Sequence, residues 1–393
     1  MRYLFIAFCA CLYLLFLVAC TPDDPQPKPV LVSATQLADY SNAVLRQLTT
    51  TNDSLEYTPA DYRLTIYRLV YQTTLEDGSA VDASGIVFVP SQPTPPQKPY
   101  PILSYQHPTA FSNTEAPSGA NYGQPGFSYS LYFATHGYIV VAPDYIGYGV
   151  ADKFSHRYEH RQTLAQATVD MLLAANAFLA QKGISYTPQT FMVGYSEGGY
   201  ATLSAQKLIE EKYSSAIPLA GTSCGAGPYD MSGFFEYITH NRTIGRVANY
   251  IYTWQVLSYN RTYGLNKPLT YYFKSPYAEQ ITESLNNAWT TETSFDALCT
   301  DAFKADLRNP TSAFAQALAD DDLTNWTAQT PTRLIHSRED DIIPFLTTEH
   351  TAAALKQRGS KNVNLVTLPT GYHVVAEVSS IRRSLEWFQQ LRQ

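Results

Sequence analysis

Gly194-Tyr195-Ser196-Glu197-Gly198-Gly199 fits the pattern G-x-S-x-G. The residues around it say what that serine can do. Gln189 to Val193 reads as a short buried strand, and Tyr200, Leu203, Ala205, Leu208 and Ile209 recur at helical spacing, so the chain is predicted to run strand, sharp turn, helix. Such a turn forces the serine into a strained backbone conformation, and its glycine neighbours let strand and helix pass closely. The hydroxyl then stands above the sheet edge beside the unpaired N–H groups and positive end of the helix, where negative charge is favoured. That is the setting for acyl transfer. A Gly-rich connecting turn is the plainer reading, and the strand before and helix after weigh against it.

A serine hydroxyl needs a base, and the base needs an orienting group. In an open parallel sheet the working residues collect at the carboxyl ends of strands. Two segments meet that condition: Ser337-Arg338-Glu339-Asp340-Asp341, after a strand ending at His336, and Pro369-Thr370-Gly371-Tyr372-His373, after a strand ending at Leu368. His373 is the candidate base and Asp340 or Asp341 the orienting acid. His107 is expected to brace its loop, and His336 to be structural. His136, His156, His160, His240 and His350 show no metal-ligand spacing. No metal and no cofactor is implied.

The elements that must hold these groups come in a recognisable order. A Pro-rich tether over 20–35 and a short helix near Gln36 to Gln47 precede an antiparallel pair, Leu64 to Thr73 and Val81 to Val89. Strands at Ile102 to Tyr105 and Tyr138 to Ala142 follow. An amphipathic helix, Gln162 to Gln181, then leads to the serine strand and to Ile217 to Ala220. Thr332 to His336 and Val363 to Leu368 complete eight strands, and a closing helix spans Val375 to Leu391. Short buried strands alternating with helices predict an α/β protein with a mostly parallel sheet covered on both faces. Residues 229–326 break the rhythm and are expected to form a helical cap insertion that shapes substrate choice, leaving 36–228 and 327–393 as the core.

The order Ser196, acid, His373 together with the serine turn resembles the α/β-hydrolase superfamily over nearly all of the chain after its leader. Tyr105-Gln106-His107-Pro108-Thr109, Pro143-Asp144-Tyr145-Ile146-Gly147-Tyr148-Gly149 and Gly194 to Gly199 are similar to the secreted lipase and esterase branch. The resemblance implies an α/β-hydrolase fold and a serine esterase acting on small-molecule or lipid esters without a cofactor. In relatives the acid stands three residues before a hydrophobic-Pro pair; Ile343-Pro344 then selects Asp340 over Asp341. Where relatives carry His-Gly, this chain has His107-Pro108, and proline has no N–H to donate. The oxyanion donors implied are the backbone N–H groups of Thr109 and Glu197.

Composition excludes some classes and leaves others open. A chain of 393 residues with 45% hydrophobic content buries a sizeable core, and a net charge of −7 without a basic stripe argues against a nucleic-acid partner. Arg2 followed by the apolar run Tyr3 to Ala19 has the form of an export signal. The run ends Leu17-Val18-Ala19-Cys20, which resembles the lipobox of bacterial lipoproteins. That implies a signal peptide over 1–19, a lipidated Cys20 and anchoring by several acyl chains, with Thr21 directing the protein to the outer membrane of a double-membrane cell. An uncleaved membrane helix is the other reading of the run. Cys224 and Cys299 form either one disulfide, worth about 4 kcal/mol in the chain-entropy picture, or two buried thiols. Two further functions stay open: a peptidase using the same triad, or a lipid-anchored glycan- or lipid-binding protein on a hydrolase scaffold, which requires a broken triad.

Overall fold

In the computed structural model, residues 31–49, 55, 62–92 and 99–392 are described. The expected signal peptide, Cys20 and most of the tether lie outside them. One sheet organises the rest. Leu31–Tyr40 (β1), Arg63–Thr74 (β2) and Ala80–Ser91 (β3) form an antiparallel run, with the helix Asn42–Thr49 (α1) between the first two. Tyr100–Gln106 (β4), the helix Pro125–Thr135 (α2), Ile139–Pro143 (β5), the helix Arg161–Gln181 (α3) and Tyr186–Tyr195 (β6) come next. Glu197–Leu208 (α4) then leads to Leu219–Gly225 (β7). Residues 229–326 follow as Met231–His240 (α5), Val247–Thr262 (α6), Leu269–Tyr272 (α7), Tyr277–Glu283 (α8), Phe295–Leu298 (α9), Asp301–Leu307 (α10) and Ala313–Asp321 (α11). After this helical insertion, expected above to be a cap, come Thr332–Ser337 (β8), Phe345–Gln357 (α12), Val363–Leu368 (β9) and His373–Leu391 (α13). The order across the sheet is β1-β2-β3-β5-β4-β6-β7-β8-β9, with β3 antiparallel to β5 and the strands from β5 to β9 parallel.

The sheet therefore has nine strands and not eight. The additional one is β1, whose residues are exposed on both faces apart from a few half-buried positions. A strand without a buried face carries no alternating hydrophobic signal, and here it took the place of part of the expected tether and of the first half of the expected helix. Leu31 faces Tyr71, Thr35 faces Arg68 and Tyr40 faces Leu64.

The central strands are buried throughout, as β5 shows from Ile139 to Pro143, because helices cover both faces. α3 packs Val169, Met171, Leu172 and Phe178 against one face; Trp387 and Phe388 of α13 join Phe133 of α2 on the other. The core of this helical insertion is aromatic: Phe235, Tyr259, Tyr272, Phe303 and Phe314 meet edge to face, tilted and, for Tyr259 and Phe314, stacked, at centroid distances of 5.0–6.0 Å. The same apolar cluster continues into Leu203 of α4, Leu334 of β8 and Leu355 of α12.

Cys224 and Cys299 are both buried and unbonded, so the disulfide is not formed. Cys224 sits on β7 in the sheet, while Cys299 follows α9 and bridges to Phe273 inside the cap. Burial pushes both thiols well above their ordinary pKa, which leaves them as small hydrophobic side chains.

Candidate active site

The serine turn is built by close approaches. β6 ends at Tyr195 and α4 begins at Glu197, leaving Ser196 alone at φ 56°, ψ −124°. Only glycine adopts that conformation without strain. Ser196 is held there by its N–H, which donates to the Gly225 carbonyl at 2.9 Å, and by its own carbonyl, which accepts from Tyr200 N–H at 3.0 Å. A Cβ on Gly194 would lie 2.2 Å from the Gly198 carbonyl oxygen, and one on Gly198 would lie 2.1 Å from that of Gln106. The glycines are thus required by contact, and the second contact brings the end of β4 against the start of α4.

His373 arrives after the edge strand β9 as the first residue of α13, not in a loop ahead of it. Its Nε2 is 2.9 Å from Ser196 Oγ and its Nδ1 is 2.7 Å from Asp340 Oδ2. The Tyr195 hydroxyl donates to the His373 carbonyl at 2.6 Å, tying the residue before the serine to the one that carries the imidazole. Asp340 Oδ1 accepts from the N–H groups of Ile342 and Ile343 at 3.0 and 2.7 Å. Asp341 holds the backbone instead, since its Oδ1 accepts from the His373 N–H at 3.0 Å.

A fourth side chain that the sequence left in a structural role joins this group. His336 Nε2 lies 3.1 Å from Asp340 Oδ2 and 3.0 Å from the Ile343 carbonyl, two acceptors, so it carries the proton. Its Nδ1 then accepts from the Thr348 hydroxyl at 2.6 Å. The four-residue spacing from His336 to Asp340 at the end of β8 was the available signal. Burial alone would raise the Asp340 pKa, but His373 and the hydrogen bonds from His336 and His373 hold it well below the usual carboxylate range. For His373, burial acts downward, and the charge and hydrogen bond of Asp340 outweigh it to leave a net upward shift.

The secretory lipase family model matches residues 130–392, which takes in all of these groups and the cap. The chain belongs to the secretory lipase family. It is accordingly a serine hydrolase of carboxylic esters. No curated protein matches the chain. Among solved structures, a Legionella pneumophila protein described as a hydrolase aligns over 93% of this chain and 98% of its own at TM-score 0.80 and 21% identity. The rice cell wall degrading esterase LipA from Xanthomonas oryzae aligns over 93% and 98% at 0.77 and 24%. Candida antarctica lipase A aligns over 93% and 82% at 0.65 and 18%. At these identities the likeness shows a shared α/β-hydrolase fold.

Around the Ser196, His373 and Asp340 group, the β4 loop is clamped from three sides. The Tyr145 hydroxyl donates to the His107 carbonyl at 3.2 Å, the Tyr148 hydroxyl to the Ala110 carbonyl, and Thr109 Oγ1 lies 2.9 Å from the Tyr158 hydroxyl. His107 faces the carbonyls of Pro108 and Asp144 with its two ring nitrogens. A cavity of about 540 Å³ lies between cap and acid loop, lined by Arg242, Ile244 and Tyr252 with Asp340, Asp341 and Ile342. It backs the acid and does not reach Ser196. One grouping escaped the spacing argument: ligand atoms of His160, Asp320 and Asp321 come within 4.8 Å of one another across the seam between cap and core. The Arg161 guanidinium, 3.1 Å from Asp320, already supplies positive charge there.

Glu377, one helical turn beyond His373, is buried and has an oxygen without a partner among the described residues. Burial raises its pKa to about 7, against the lowering influence of His373 and Tyr129. A carboxyl with a folded pKa above its unfolded value costs stability as pH rises between the two, by about 1.4 kcal/mol per pH unit. Glu377→Gln is therefore expected to raise the melting temperature at pH 8 and to leave it nearly unchanged at pH 4.5. Equal shifts at both values in thermal melts would show that the carboxyl is not held neutral.

Proposed function

We propose that ester cleavage runs through Ser196, His373 and Asp340 by an acyl-enzyme. The observation that supports this is the unbroken path from Ser196 Oγ to His373 Nε2 at 2.9 Å and from His373 Nδ1 to Asp340 Oδ2 at 2.7 Å. His373 takes the serine proton, Ser196 attacks the carbonyl carbon, and Asp340 orients the imidazole and balances its charge. The oxyanion is taken by the N–H of Glu197, which opens α4 and has no intrahelical acceptor, and by that of Thr109 on the clamped β4 loop. The imidazolium then protonates the leaving alkoxide, and water, deprotonated by the same ring, frees the acid.

The same triad can cut amides, so the scissile bond is the point to test. Short- and long-chain p-nitrophenyl esters should be turned over and release stoichiometric alcohol, while aminoacyl p-nitroanilides should not. Anilide turnover matching that of the esters would make the protein a peptidase. A fluorophosphonate probe should label Ser196; an unlabelled protein would favour a binding module on this scaffold.

Cleavage of the leader before Cys20, lipidation of Cys20, and anchoring in the cell envelope at the outer membrane are proposed from the Leu17-Val18-Ala19-Cys20 pattern. Metabolic labelling with an alkyne fatty acid is expected to mark the wild type and not Cys20→Ser. Equal labelling of both would remove the assignment.

A further inference from the structure

Beside the catalytic serine lies a buried ion-forming pair that the triad does not use. Glu197, the residue after Ser196, is completely buried, and its Oε1 lies 2.5 Å from Nε2 of His156, itself buried. His156 Nδ1 lies 2.7 Å from the Ile146 carbonyl. A carbonyl only accepts, so Nδ1 carries a proton. The short contact between Nε2 and Oε1 then ties the two buried side chains to each other.

The reach of the pair is what gives it a role. Ile146 belongs to the same short segment as Tyr145 and Tyr148, whose hydroxyls hold the carbonyls of His107 and Ala110 on either side of Thr109. His156 packs against both rings, 4.8 Å from Tyr148 and 6.1 Å from Tyr145 between centroids. At Gly147, φ +105°, a Cβ would come within 2.5 Å of His156 Cα, so the segment is cut to admit the histidine. Resting on the oxyanion-hole reading above, we propose that His156 and the Glu197 carboxyl are positioning residues that lock the Glu197 N–H and the Thr109 loop into one rigid body. The two donors then keep their separation while the ester passes through its tetrahedral state.

Kinetics with p-nitrophenyl butyrate, together with affinity for an alkyl trifluoromethyl ketone that forms a tetrahedral adduct, test this. His156→Ala is expected to lower kcat by about 10- to 100-fold with KM within about twofold, and ketone affinity should fall in parallel. Glu197→Gln keeps a hydrogen bond to the ring and should lose less than Glu197→Ala, and H156A combined with E197A should cost no more than the worse single change. A folded His156→Ala with unaltered kcat, or one whose loss is all in KM with ketone affinity unchanged, would overturn the assignment. Should His156→Ala fail to fold, the glutamate variants decide: equal losses in E197Q and E197A refute it. Failure of the underlying reading looks different, since Thr109→Pro, which removes one of the two N–H donors, would then bind the ketone as tightly as the wild type.

Discussion

Replacing Ser196 with glycine is expected to abolish turnover and at the same time to make the protein more stable. The serine stands at φ 56° with a side chain that the conformation disfavours, a strain of about 1–3 kcal/mol. Glycine relieves that strain and gives back part of the gain through a more disordered unfolded chain, for a net increase of about 1 kcal/mol. Alanine keeps the Cβ and with it the strain, so Ser196→Ala should match the wild type in thermal melts. Both variants lose the nucleophile, with kcat falling by about 10³- to 10⁶-fold. Comparing the two separates what the backbone conformation costs from what the hydroxyl does. Near-normal turnover in Ser196→Ala would dispose of the mechanism, and equal stabilities for S196G and S196A would mean that the turn stores no strain.

The second large effect distinguishes two adjacent carboxylates. Asp340→Asn keeps an oxygen for the N–H groups of Ile342 and Ile343, but turns an amide NH₂ toward His373 Nδ1 and the His336 Nε2 proton. Donor then faces donor. His373 can relieve this by moving its own proton to Nε2, the nitrogen that must accept from Ser196, so kcat is expected to fall by about 10⁴-fold. The pH profile carries a second signature. The acidic limb of kcat/KM reports loss of the neutral His373 base, whose pKa the Asp340 carboxylate raises, so in D340N that limb should move to lower pH. Asp341→Ala removes a carboxylate that, among the described residues, accepts the His373 backbone N–H. Its cost is expected in stability, about 1 kcal/mol, with kcat reduced by less than about tenfold. Reversed results for the two aspartates would reassign the acid.

The serine turn could be read from the chain because its needs are local: a strand, a helix, and small residues where backbones cross. His373 and the acid could be read because strand ends in a parallel sheet converge, whatever the distance along the chain. The choice of Asp340 over Asp341 required the Ile343-Pro344 pattern of relatives, since neighbouring residues differ only in which way the turn points them. β1 was missed because its two faces are both exposed and its sequence shows no period of two. His336 gave a signal only in hindsight, through its spacing to Asp340. His156 gave none. Forty-one residues separate it from Glu197, and what joins them is the path of the Gly147 segment, which no periodicity records.

Residues 229–326 share one continuous apolar interior with α4, β8 and α12. Such a cap is not a flap on two hinges, and heat should melt both halves in a single calorimetric peak. Swapping it for that of another family member would be surgery on the protein's middle, because the cut would run through Leu203, Leu334 and Leu355 as well as through the two chain crossings.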